Sequence, residues 1–215
     1  MCKLLFMLKL IPNILTFGRL VLTIVFLVML LLAPPYYADG EVPFPGFLDI
    51  AFIIFVTAGI TDMVDGLAAR RLNVASKFGR MMDPLADKIL VCGTFICFAL
   101  IGQPKLFSLG PVALSIIHWS VAGILIAREA YVTIIRHLAE SRGVNFAATV
   151  SGKLKMFLQS FAIGTVVIKM AHIQTATWAY WFTIVAYAVM LTATVISGLL
   201  ATRRSSWKAA APESN

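Results

Sequence analysis

Residues 176–201 read ATWAYWFTIVAYAVMLTATVISGLLA, a run of 26 residues without one charged side chain. A helix rises about 1.5 Å per residue, so about 20 apolar residues cross the roughly 30 Å hydrocarbon layer of a bilayer. The run is rich in Val, Ile, Tyr and Trp, which favour strands in water, yet it lacks the apolar–polar alternation of a barrel strand. Five further stretches share its character, and together they predict spans at about 12–33, 47–65, 84–102, 108–136, 153–171 and 176–201. A span must satisfy its own backbone hydrogen bonds, which makes the expected fold all-α: a polytopic membrane protein with six transmembrane helices.

The whole chain agrees with its apolar runs. Of 215 residues 60% are hydrophobic and 13% charged, and the mean hydropathy is +0.90. That lies outside the range of soluble domains. One transmembrane domain over residues 1–204 is expected, followed by a polar tail at 205–215. Cys2, Cys92 and Cys97 are odd in number and two lie in an apolar run, so they read as small apolar residues rather than a disulfide or metal framework. The net charge of +8 sits at the ends of spans rather than in one stripe, which points to a membrane surface and an anionic substrate and away from nucleic acid.

The loops set the orientation. Pro34, Pro35, Pro43, Pro45 and Gly46 mark one turn, Gly102 and Pro104 a second, Gln174 and Thr175 a third, all on one side. Only Lys105 and Lys169 fall in those loops, with Asp39 and Glu41, while the other side holds most of the Lys and Arg. The bias places both termini in the cytoplasm. The first apolar run is longer than a signal-peptide core and is expected to stay as a helix. Residues 1–10, with Lys3 and Lys9 among Leu and Phe, suit a short interfacial helix as well as a frayed terminus.

Ionisable residues at membrane depth are expensive and mark function. Asp62 and Asp65 stand three apart near the end of the second span, Asp83 and Asp87 four apart at the start of the third. Each spacing keeps its pair on one helical face. Four converging carboxylates repel one another unless cations neutralise them. With oxygen ligands and no nearby His or Cys, hard divalent ions such as Mg²⁺ or Mn²⁺ fit best, two of them able to clamp a phosphoryl displacement. Gly66, Ala69 and Gly79 permit close approach, and Arg70 offers a fork for phosphate. Taken singly, these residues would serve helix packing or headgroup anchoring; their joint arrangement favours a site. His118, His137 and His172 are scattered and are not read as ligands.

The pattern Asp62-x2-Asp65-Gly66-x2-Ala69-Arg70-x8-Gly79-x3-Asp83-x3-Asp87 resembles, at every fixed position, the signature of the CDP-alcohol phosphatidyltransferase family. The resemblance implies a two-metal site on Asp62, Asp65, Asp83 and Asp87. It further implies that Gly66, Arg70 and Gly79 receive the CDP part of a CDP-lipid, and that Asp87 serves as general base, as metal ligand or as both. Ile11–Thr16 with Arg19, Met82–Lys88, Ala127–Glu129 and Gly152–Lys155 resemble the bacterial members that join CDP-diacylglycerol to sn-glycerol 3-phosphate. The implied setting is a bacterial inner membrane with the site facing the cytoplasm, and a homodimer.

An acceptor that is a phosphate dianion needs cations. Arg128 and Arg136 are eight apart, nearly one face of a helix, and Lys153 or Lys155 enters from the next span. For Arg128 the competing partner is Glu129, but neighbours on a helix do not ordinarily face each other, which favours the acceptor. Asn13, Thr16 and Arg19 form a polar stripe on the first span that either edges the same cavity or bonds another helix. Other acceptors of the same chemistry, namely phosphatidylglycerol, inositol phosphate or serine, stay open, as does a divalent-cation transporter, which would more often show helices broken at mid-membrane.

Overall fold

The computed structural model describes residues 16–33, 46–72, 77–107, 109–141, 150–173 and 176–210, without the side chains of 62–84, 140, 150–151 and 204–210. All regular structure among them is helical: α1 (Thr16–Ala33), α2 (Phe47–Leu72), α3 (Lys77–Ile101), α4 (Pro111–Ser141), α5 (Val150–His172) and α6 (Thr177–Ala210). Four helices are long and apolar enough to cross a membrane over Thr16–Ala33, Pro111–Ala139, Gly152–His172 and Thr177–Arg203; in α2 the apolar part is the shorter Phe47–Thr61. The protein is an integral membrane protein.

Local sequence explains the ends. At the C-terminus of α3, Gly102 takes φ of +64° and the Gln103 N–H bonds to the Phe98 carbonyl at 3.0 Å, the left-handed glycine stop that satisfies orphan carbonyls. Pro111 opens α4, where its missing N–H costs nothing. Several helices outrun the apolar stretches that announce them. α2 continues to Leu72 and α3 begins at Lys77, because backbone hydrogen bonding does not stop where hydrophobicity does. α6 likewise runs to Ala210, into the segment expected as a polar tail. The expected interfacial helix at 1–10 lies outside the described residues.

The helices run alternately up and down. α5 packs on α6, α2 and α3, and α4 packs on α3 and α6. Phe26 and Leu30 of α1 meet Phe55, Phe98, Leu125, Ile163 and Met190 in one core. α1 approaches α3 closely: a Cβ at Gly93 would stand 2.9 Å from Leu27 Cδ1. Outward, Phe17, Val112, Ile116, Trp178 and Leu199 are largely exposed, a surface suited to lipid. An apolar cleft of about 710 Å³ opens between α2, α5 and α6, lined by Phe52, Phe157, Phe161, Trp178 and Phe182 among others. Helical hydroxyls are satisfied locally, as where Thr57 donates to the Ile53 carbonyl and Thr183 to the Ala179 carbonyl, both at 2.7 Å, the economical solution in a medium without water.

Polar groups gather at the two ends. One end carries Arg19, Asp87, Arg128, Glu129 and Lys155. At the other, His172 Nε2 lies 2.7 Å from Asp49 Oδ1, while Lys169 donates to the Lys105 carbonyl at 2.5 Å and sits 4.1 Å over the Tyr180 ring.

Candidate active site

Asp62, Asp65 and Gly66 fall in the C-terminal half of α2 with Arg70, and Gly79 and Asp83 in the first turns of α3. Their side chains lie outside the described set. Asp87, on the next turn of α3, is described. It is 30% exposed, and its Oδ1 lies 3.3 Å from Nη1 of Arg19, which is 1% exposed. Of the expected polar stripe on α1, Thr16 and Arg19 are buried, as is Thr23, while Asn13 lies outside the described residues; the arginine aims at the last carboxylate of the motif. The fixed fork of a guanidinium holds a carboxylate in orientation as a hydroxyl or amide does not. The donor set here is oxygen only, and Asp87 retains exposed surface for a further ligand, which fits a hard divalent ion. No group of three His, Cys, Asp or Glu ligands occurs among the described residues.

A second cluster joins α4, α5 and α6 at the same end. Arg128 Nη1 lies 3.0 Å from Glu129 Oε1, and Arg128 Nη2 donates to Ser197 Oγ at 2.6 Å. Ser197 in turn donates to the Thr194 carbonyl at 3.0 Å. Lys155, buried on α5, pairs with the same Oε1 of Glu129. The stem of Arg128 runs along the backbone of Gly198, where a Cβ would meet its Cγ at 3.5 Å. One carboxylate therefore answers two cations, and among the described residues the buried Nε–H of Arg128 has no acceptor. Such a cluster can take an anion.

The structure brings Arg128 and Lys155 together, while Arg136 and Lys153 are exposed and no hydrogen bond or ion pair ties them to the cluster among the described residues. Arg128 does meet adjacent Glu129, contrary to the expectation from helix geometry. A long arginine side chain curls back along its own helix far enough to reach the next residue. Four participants escaped sequence reasoning: Glu129 as the hub, Ser197, and the pair Lys88 and Thr133, whose Nζ and Oγ1 are 2.8 Å apart. The available signal was Glu129 itself, a carboxylate deep in an apolar helix that must find a cation.

Residues 9–202 match the family described as CDP-alcohol phosphatidyltransferase. A probable phosphatidylglycerophosphate synthase of Mycobacterium tuberculosis strain H37Rv is 34% identical over 190 residues, 87% of this chain and 77% of that protein. A CDP-diacylglycerol–glycerol-3-phosphate 3-phosphatidyltransferase of Bacillus subtilis strain 168 is 33% identical over 160 residues, 73% of this chain and 76% of its own. One of the same description from Rickettsia prowazekii strain Madrid E is 29% identical over 161 residues, 74% of this chain and 76% of its own. The chain belongs to the CDP-alcohol phosphatidyltransferase family and is a phosphatidyltransferase.

Proposed function

We propose that this phosphatidyltransferase moves the phosphatidyl group of CDP-diacylglycerol to sn-glycerol 3-phosphate, releasing phosphatidylglycerophosphate and CMP. The names of the relatives, whose similarity reaches across most of the chain, carry the reading. The cation cluster at Arg128 and Lys155 supports a phosphorylated acceptor, and Arg136 and Lys153 stand at the same helix ends to meet its approach.

Asp62, Asp65, Asp83 and Asp87 would hold two divalent ions, Mg²⁺ or Mn²⁺; when bound, these supply charge neutralisation at the pyrophosphate. Gly66, Arg70 and Gly79 are assigned to the CDP moiety. Asp87, oriented by Arg19, takes the proton of an acceptor hydroxyl. The freed oxygen forms a bond to the phosphorus that carries the diacylglycerol, and the bond from that phosphorus to CMP breaks. Arg128 and Lys155 hold the acceptor phosphate so that its hydroxyl waits beside Asp87.

Six spans with the Asp87 end in the cytoplasm of a bacterial inner membrane complete the reading, supported by the one-sided distribution of Lys and Arg. A homodimer rests on the family resemblance alone. Purified protein given CDP-diacylglycerol and each acceptor in turn tests the function. Turnover with sn-glycerol 3-phosphate is expected, and turnover with phosphatidylglycerol alone would overturn it.

A further inference from the structure

We propose that Lys88 is part of the acceptor site, and that the charge cluster it joins selects a phosphate monoester over a phosphodiester; this rests on the acceptor reading above. Lys88 follows Asp87 directly on α3. Its Nζ donates to Thr133 Oγ1 at 2.8 Å, and Thr133 donates to the Glu129 carbonyl at 2.6 Å. Thr133 stands one turn beyond Glu129, the residue that binds both Arg128 and Lys155. One chain of polar contacts therefore links Lys88 of α3 to the Glu129 turn of α4, whose carboxylate binds Lys155 of α5.

An ammonium with only a hydroxyl partner is poorly compensated in a setting of low dielectric. Among the described residues no carboxylate pairs with Lys88. Among the described side chains of this cluster, Glu129 answers one of the three positive charges of Lys88, Arg128 and Lys155, which leaves a surplus of two among them. The neighbouring Arg19–Asp87 pair is neutral in itself. An ammonium also has N–H groups beyond the one given to Thr133, and among the described residues the buried Arg128 Nε–H has no acceptor. A monoester phosphate carries about −1.5 to −2 near neutral pH and closes this surplus, whereas a diester carries about −1 and leaves part of it open. Lys88 also ties phosphate recognition to chemistry. Lys88 and Asp87 are adjacent in the chain, with Cα atoms about 3.8 Å apart.

The test uses full-length protein in detergent with CDP-diacylglycerol. Wild type is first assayed with sn-glycerol 3-phosphate and with phosphatidylglycerol. Failure with the former overturns the acceptor reading, and this proposal with it, before any variant is made. Given turnover, Lys88→Met is expected to raise the acceptor KM about tenfold to a hundredfold, the range for a lost charged hydrogen bond, with the donor KM within about twofold. Inhibition by inorganic phosphate should weaken in parallel, and Lys88→Arg should restore most of both. If the Met variant does not fold, Lys88→Gln is read in the same way. Unchanged acceptor KM and phosphate inhibition, or an equal loss toward both substrates, would overturn the assignment.

Discussion

At Glu129 one carboxylate answers two cations brought by different helices, and its removal strands both. Replacing one member of a buried ionic group leaves uncompensated charge, at a cost of about 3–5 kcal/mol. Glu129→Gln is therefore expected to lower the apparent unfolding temperature in detergent and to raise the acceptor KM, with Glu129→Asp intermediate in both. Equal stability of the Gln variant would show that the cluster is held by other contacts. Asp87 behaves differently, because an amide oxygen at the same place still accepts the hydrogen bond from Arg19. Asp87→Asn should keep the unfolding temperature and elution profile of the wild type while turnover falls about a hundredfold to ten-thousandfold, the usual weight of a positioned base. Activity within tenfold of wild type would remove Asp87 from the chemistry. The helical placement of the four aspartates was legible in the sequence because spacing on a helix is a local property; the side chains of Asp62, Asp65 and Asp83 lie outside the described residues. The Glu129 hub was not legible, since its second cation sits 26 residues further along the chain on another helix.

Elements were legible in number and less so in extent. Six apolar runs announced six helices, but α2, α3 and α6 outlast them, because the apolar criterion registers the bilayer and not the helix. Which helices pack together was illegible as well, since a segment apolar on all sides has no preferred inward face. Small residues mark one such contact. A methyl at Gly93 would stand 2.9 Å from Leu27 Cδ1, the tip of a flexible side chain that can swing aside. Gly93→Ala is thus expected to be mild, whereas Gly93→Val adds branches that α1 must move to accept, at about 1–3 kcal/mol. Arg19 rides on α1, so the Val variant should lose activity together with stability, and Leu27→Ala should recover part of both. A double-mutant cycle measures the coupling, and strict additivity would mean that the two residues do not meet.

For the whole molecule, the expectation of orientation rests on the charges rather than on the helices. Arg19, Asp87, Glu129 and Lys155 share one end, and exposed Arg136, Lys153 and Arg203 lie there too. The opposite end holds Lys169 over Tyr180 and His172 against Asp49. On the proposed function a polar acceptor and released CMP require the first end to open to the compartment that holds soluble phosphate esters, and the excess of Lys and Arg supports the cytoplasm for it. The claim can be checked with single cysteines in a background lacking Cys2, Cys92 and Cys97. Lys105 and Ser141 are both exposed, on the connection after α3 and at the last residue of α4, and hence at opposite ends. In intact cells a membrane-impermeant maleimide should label Lys105→Cys, with Ser141→Cys reacting only after permeabilisation. The substitution at Lys105 is benign in its own right, because Lys169 bonds to the backbone carbonyl there and not to the side chain. The reverse labelling would put the aspartates outside the cell, away from both CMP and acceptor, and the charge argument for the topology would fall with it.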